Sequence, residues 1–197
     1  MTGAPTLYTA RLILRPWQRA DREPFAEINR DPHVVEFLGE PLTREQSDAL
    51  ADRIEADFAR RAFGLWAVEV PGVTLFAGFV GLSVPRFDAP FMPAVEVGWR
   101  LARGCWGRGY ATEGAIASLA YGFGEVGLGE IVSFTAGHNA RSRHVMERAG
   151  MTHDVGDDFD HPLVAPGPLR HQVLYRARRS DWTAPKADAP LATKARR

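Results

Sequence analysis

From residue 95 to 101 the chain reads Val-Glu-Val-Gly-Trp-Arg-Leu, an alternation of period two that predicts a strand. Glu96 and Gly98 share one face of it, while Val95, Val97 and Trp99 share the other. A turn spaced by Gly104, Gly107 and Gly109 follows, and from about Tyr110 the period changes to that of a helix, with Ile116, Leu119, Ala120 and Phe123 on one face. The same strand-to-helix change recurs downstream. Ile131 to Thr135 is a compact strand, and Asn139 opens a helix that turns Val145, Met146 and Ala149 inward and stops at Gly150.

Upstream, residues 10 to 15 alternate into a strand that ends at Pro16, and Asp21 caps a short helix carrying Phe25 and Ile28 up to the Asp31-Pro32 break. Thr43-Arg-Glu-Gln46 has the form of a capping box, and Leu50, Ile54, Phe58 and Ala62 recur at every fourth position behind it. Leu65 to Val70 and Leu75 to Val84 form a hairpin about Pro71-Gly72, and Pro85 to Pro93 is a loop. Residues 152 to 168 are acidic and contain prolines, Leu169 to Arg176 is a last strand, and the Ala/Pro/Lys/Arg-rich stretch from Thr183 reads as a disordered tail. This order of elements is that of a mixed α/β sheet.

Composition narrows the class. With 197 residues, 45% of them hydrophobic, the chain fills one core, and a single domain is expected over residues 1–182. Lysine plus arginine and aspartate plus glutamate both number 24, so net charge argues for neither nucleic acid nor a membrane as partner. The lone Cys105 excludes an internal disulfide, and no histidine or cysteine spacing matches a metal site. Neither a charged leader nor a run long enough to span a bilayer is visible, which points to a cytoplasmic protein.

The glycine turn entering a helix is a phosphate cradle, because glycines permit close backbone approach and the first helical N–H groups have no internal partner. Gly107-x-Gly109-x-x-Thr112 lacks the third glycine of a dinucleotide fingerprint, and the next strand ends at Thr135 with no acidic residue. No Gly-Lys-Ser/Thr tripeptide marks a nucleoside triphosphate loop either.

Trp106-Gly-Arg-Gly-Tyr-Ala-Thr-Glu113 resembles the acetyl-CoA pyrophosphate loop of the GNAT superfamily of N-acetyltransferases, with Trp106 where glutamine or arginine is usual. Asn139-Ala-Arg-Ser142-Arg-His-Val145-Met-Glu147-Arg-Ala-Gly150-Met151 is similar to a second motif, found in the RimJ/RimL-like branch that acetylates ribosomal-protein N-termini. Thr9-Ala-Arg-Leu-Ile-Leu-Arg-Pro16 agrees with that branch too, so the resemblance covers roughly residues 9 to 176. It implies a mostly antiparallel sheet with one splayed parallel strand pair, acetyl-CoA as cosubstrate, no metal, a primary amine as acceptor and a monomer or homodimer.

By the same resemblance, the backbone from Arg103 and Gly104 through Trp106, Gly107, Arg108, Gly109, Tyr110, Ala111 and Thr112 holds the pyrophosphate. Leu101 and its neighbours pair with the pantetheine arm, and Asn139 bonds its amide. Transfer needs an uncharged amine, and Glu96 is the candidate base because it stands on the strand leading to the loop. Met146 occupies the position where many relatives carry an acidic tyrosine, which leaves Ser142 as donor to the departing thiolate. An N-cap role is open for both Asn139 and Ser142. Cys105 has no adjacent base in sequence and is not expected to act as a nucleophile. Trp66, Phe91, Asp160, His161 and His171 are candidate acceptor residues. The acceptor reading gives a protein or peptide N-terminus a slight edge over a small amine, and the alternative function is a non-catalytic acyl-CoA sensor or scaffold.

Overall fold

The computed structural model describes residues 5–61 and 63–185, so Ala62 and the expected tail beyond 185 lie outside the described residues. Nine strands form one sheet: β1 (Leu7–Tyr8), β2 (Ile13–Arg15), β3 (Leu65–Glu69), β4 (Gly78–Ser83), β5 (Glu96–Leu101), β6 (Glu130–Ala136), β7 (Thr152–His153), β8 (Phe159–Asp160) and β9 (His171–Arg178). Their order is β1-β2-β3-β4-β5-β6-β9-β7, with β8 also on β9. Every pairing is antiparallel except that of β5 with β6. The mixed, mostly antiparallel sheet with one parallel pair is therefore as expected.

Among the described residues five α-helices accompany it, besides three single-turn 3-10 helices: α1 (Arg22–Arg30), α2 (Pro32–Val35), α3 (Arg44–Arg61), α4 (Tyr110–Gly124) and α5 (Ala140–Arg148). Their ends follow local chemistry. Thr43 and Gln46 exchange capping hydrogen bonds ahead of α3, as the box predicts. Asn139 Oδ1 accepts from the Ser142 N–H at 3.2 Å, and Gly150 leaves α5 at φ +79° while the Met151 N–H returns to the Met146 carbonyl.

Asp21 departs from expectation. Its carboxylate makes no cap bond to α1; it accepts from the Gln18 N–H and from both Arg15 Nη atoms at 2.8 and 2.9 Å, a buried ion pair. The acidic segment also proves partly ordered in strands, as β7 and β8, each two residues long and defined only by pairing with β9.

Helix α4 covers one face of the sheet and α1 the other. Val80 of β4 lies 3.1 Å from where a Cβ on Gly114 would stand, whereas its neighbour Phe79 meets Phe25 of α1 edge-on at 5.9 Å. The buried stripe of α4 runs through Gly114, Ala115, Ser118, Leu119, Gly122 and Phe123; Ala120, expected inward, is exposed and Ile116 is half-buried. Small residues bring this helix close to the sheet, since a Cβ on Gly122 would stand 2.6 Å from Ile131 Cδ1.

The strands β5 and β6 join at a single registered pair, Glu96 with Val132, where the Val132 N–H donates to the Val95 carbonyl at 2.9 Å. Beyond that point β6 remains paired with β9 to Ala136, and β5 remains paired with β4 to Leu101. The two strands splay, and the cleft opens between them.

Candidate active site

The cleft has a volume of 850 Å³. Its floor is the splay, one wall is the N-terminal end of α4 with α5, and the other is α2 with Phe37 and Leu38 behind it. On β5 the even-numbered residues bond to β4, as the Ala102 N–H to Ala77 carbonyl bond of 2.8 Å extends the ladder, so Val97, Trp99 and Leu101 turn their backbone groups toward the splay. An extended amide-bearing ligand finds there a free sheet edge.

At the far end the chain builds the expected cradle. Gly107 and Gly109 adopt φ of +70° and +78°, in the left-handed region, and Gly109 is the N-cap of α4. The amides of Gly107 through Thr112 find no carbonyl partner among the described residues. They form a set of donors without an internal partner at the positive end of a helix dipole. Arg11 fixes this loop from the opposite end of the sequence. Its Nε donates to Glu113 Oε2 at 2.6 Å, its Nη1 to the Arg108 carbonyl at 2.9 Å, and its guanidinium lies 5.1 Å from the Tyr110 ring. Glu113 is buried and also accepts from the Thr9 hydroxyl and the Arg11 N–H. Neither Arg11 nor Glu113 carries a local sequence signal for this role, because the bond joins residues 102 apart.

Trp106, anomalous in the motif, has a structural reason. Its indole Nε1 donates to the Leu101 carbonyl at 2.8 Å and Arg141 stacks on its ring at 4.6 Å, tying the loop to β5 and α5. The Leu101 carbonyl is thus already engaged, and the expected strand-like pairing with a ligand falls on Trp99 and the Leu101 N–H.

Leu101, the run Trp106–Thr112, Asn139 and Ser142 line the cleft together with Cys105; Arg103 and Gly104 do not. Both hydrogens of Asn139 Nδ2 are used, one by Thr135 Oγ1 at 2.9 Å and one by Ser142 Oγ at 3.1 Å. Its Oδ1 caps the helix, so the N-cap reading of Asn139 holds. The same bond occupies a lone pair of Ser142 Oγ, and the Ser142 hydroxyl hydrogen has no acceptor among the described residues. Met146 is 1% exposed, within the core and away from the cleft. Burial raises the Cys105 thiol above its ordinary pKa against a weaker pull from Arg108, which disfavours a thiolate nucleophile.

Glu96 does not itself line the cleft. It stands at the closed end of the splay on the face opposite α4, with Gly98 bare beside it: a Cβ there would lie 3.6 Å from Glu96 Oε1. Desolvation pushes its carboxyl up to about 7, against the opposing effect of the Ser83 hydroxyl at 3.4 Å. Val132, its partner in register, shares this face with Phe134, and Phe134 joins Phe87, Phe91 and Phe159 in an aromatic cluster. His161 packs on Phe87 at 4.2 Å.

Of the five acceptor candidates, Phe91 and His161 therefore meet on the Glu96 face. Asp160 and His171 pair with each other at 3.6 Å, both exposed, and by strand alternation face away from Phe159. Trp66 stands apart from the cleft: it is 0% exposed, wedged between Phe58 and Tyr121 with Nε1 donating to the Pro5 carbonyl. The acidic stretch is likewise consumed internally, with Asp158 on His153 and the Leu174 N–H, and Asp157 on Arg176. Among the described residues no group of side chains is arranged to hold a metal, and no helix is long and apolar enough to cross a membrane.

Residues 11–152 match the model of the acetyltransferase (GNAT) domain. The FsC-acetyl coenzyme A-N(2)-transacetylase of Aspergillus fumigatus is 33% identical over 187 residues, covering 90% of this chain and 78% of that protein. An acetyltransferase structure from Agrobacterium tumefaciens superposes with a TM-score of 0.72 at 28% identity, covering 90% of this chain and 96% of the other. The ribosomal-protein-S5-alanine acetyltransferase of Vibrio fischeri has a TM-score of 0.68, covering 91% and 99%, but at 19% identity that likeness is one of fold. Free amides, a glycine cradle, cationic walls and an open strand edge all fit acetyl-CoA, the cosubstrate of the matched family. The chain belongs to the GNAT acetyltransferases and is an acetyl-CoA-dependent acyltransferase.

Proposed function

We propose that residues 1–182 form a single catalytic domain that transfers acetyl directly to a primary amine, with Glu96 as base and Ser142 as donor to the leaving sulfur. The observation that carries this reading is the position of Glu96 at the closed end of the splay, beside the open edge of β5. Bound acetyl-CoA supplies a thioester whose carbonyl carbon gains the amine nitrogen as its C–S bond breaks, leaving a thiolate and one surplus amine proton. Glu96 accepts that proton, directly or through one water, and a carboxyl held near neutrality is suited to do so. Ser142 donates its unclaimed hydroxyl hydrogen toward the sulfur, since Asn139 already occupies a lone pair of that oxygen. The amides of Gly107 to Thr112 and the guanidiniums of Arg108 and Arg141 hold the pyrophosphate.

The slight edge for a protein N-terminus rested on branch resemblance. The 33% identical relative, named for transfer to an N(2) nitrogen, supports a nitrogen acceptor without requiring a protein. Against the sensor alternative stands the match of residues 11–152 to the acetyltransferase domain, together with a 33% identical relative named as a transacetylase. The test is release of free thiol from acetyl-CoA by purified protein across amines and N-terminal peptides, with mass spectrometry of products. Acceptor-dependent release abolished in Glu96→Gln is expected; tight coenzyme A binding with no acceptor in a broad panel would overturn the reading.

A further inference from the structure

The acetyl-transfer reading leaves the acceptor open, and Arg100 narrows it. Arg100 is four residues beyond Glu96 on β5, so Glu96, Gly98 and Arg100 share one face of the strand. Its guanidinium lies 5.6 Å from the ring of Phe79, and Nη1 donates to Asn29 Oδ1 at 2.5 Å. Asn29 is fully buried and donates in turn to Ser47 Oγ at 2.8 Å, so α1 and α3 brace the contact.

No carboxylate answers this cation among the described residues. Nε is buried without a partner, and burial alone acts on the group, lowering its pKa to about 10. Other arginines of the fold are treated differently: Arg15 faces Asp21 and Glu69, Arg11 faces Glu113, and Arg176 faces Asp157 and Glu130. A desolvated guanidinium with no counterion is costly, and a binding site is where such a cost is recovered by the ligand. Arg100 lines the cleft, as do His33 and Val34 of α2. On the same reading the phosphates of acetyl-CoA fall to the amides of the 107–112 loop with Arg108 and with Arg141, which Glu36 already pairs at 2.7 Å.

Resting on the transfer reading, we propose that Arg100 is a specificity residue that binds the carboxylate of the acceptor, a small molecule bearing both a primary amine and a carboxylate. The amine lies toward Glu96 and the carboxylate toward Arg100, across the bare backbone of Gly98. A single planar guanidinium matches a monoanionic carboxylate in charge and geometry, whereas a phosphate dianion calls for more donors.

A ladder of ω-amino acids of increasing length, each matched with the n-alkylamine of the same length, reads this directly. The expected result is a kcat/KM at least about tenfold higher for the amino acid at the best length. Arg100→Met removes that preference by raising the acceptor KM while the acetyl-CoA KM stays within about twofold, and Arg100→Lys, which keeps the charge, restores part of it. Equal rates for both members of every pair, or a rise confined to the acetyl-CoA KM in Arg100→Met, overturns the proposal. If no amine is acetylated, the transfer reading fails, and the carboxylate reading is judged by calorimetry on coenzyme A-loaded protein. There ω-acetamido acids must bind more tightly than N-alkylacetamides in an Arg100-dependent way, or this inference falls too.

Discussion

Glu96 sets the pH behaviour of the molecule in two senses. As a base it works only when deprotonated, so kcat/KM falls below about pH 7, and Glu96→Gln lowers kcat roughly 100-fold or more and flattens that limb of the profile. For stability the sign is opposite. The folded carboxyl binds its proton more tightly than the unfolded one, so the folded state loses stability as pH rises from about 4.5 through about 7. Glu96→Gln should therefore leave stability unchanged at pH 4 and raise it at pH 8, by on the order of 3 kcal/mol at most, measured by urea unfolding at both pH values. A gain at both pH values alike would mean that burial of the charge is not the cause. Ser142→Ala removes a donor to a charged sulfur and should lower kcat about tenfold with little change in the acetyl-CoA KM. At this scale alternation alone places Glu96 and Gly98 on one face of their strand. The pairing of Arg11 with Glu113, 102 residues apart, and the isolation of Arg100 become visible only when the chain is folded.

Elements were legible where their ends carry their own chemistry. The Thr43–Gln46 box, the Pro71-Gly72 turn and the Asn139-to-Gly150 helix are each specified within a few residues. The strands β7 and β8 were not, since each exists only through pairing with β9. Helix α4 was misread in detail because hydrophobicity favoured Ala120, while close packing selected Gly114, Ser118 and Gly122 at intervals of four. Two substitutions test the elements that build the site. Gly109→Ala forces a left-handed φ on a residue with a Cβ and presses it on Arg11 Nη2 at 3.2 Å. The strain of about 1–2 kcal/mol should raise the acetyl-CoA KM severalfold while kcat at saturation stays close to wild type. Asn139→Ala removes the α5 cap, costing about 1 kcal/mol, and the thermal midpoint should drop by about 2–4 °C. Because the same side chain orients Ser142, kcat should fall as well.

At the scale of the whole molecule, ligand and fold are thermodynamically linked. Coenzyme A at about 100 times its Kd should stabilise the chain by about 2.7 kcal/mol, read as an upward shift in thermal midpoint that NAD does not reproduce. The meeting of β5 with β6 at Glu96 and Val132 gives that linkage a mechanical form. If the two halves of the sheet open like the covers of a book, the spine lies beside the base. About 23 Å of extended chain separates Glu96 from the start of the loop at Arg103, so a 10° rotation about the spine displaces the cradle by roughly 4 Å and the carboxyl hardly at all. The molecule can thus admit and release a long ligand at one end without disturbing proton transfer at the other. Hydrogen exchange should show this as a gradient, with the Val132 amide slow in every state and the amides of Gly107 to Thr112 fast until coenzyme A closes the covers on them.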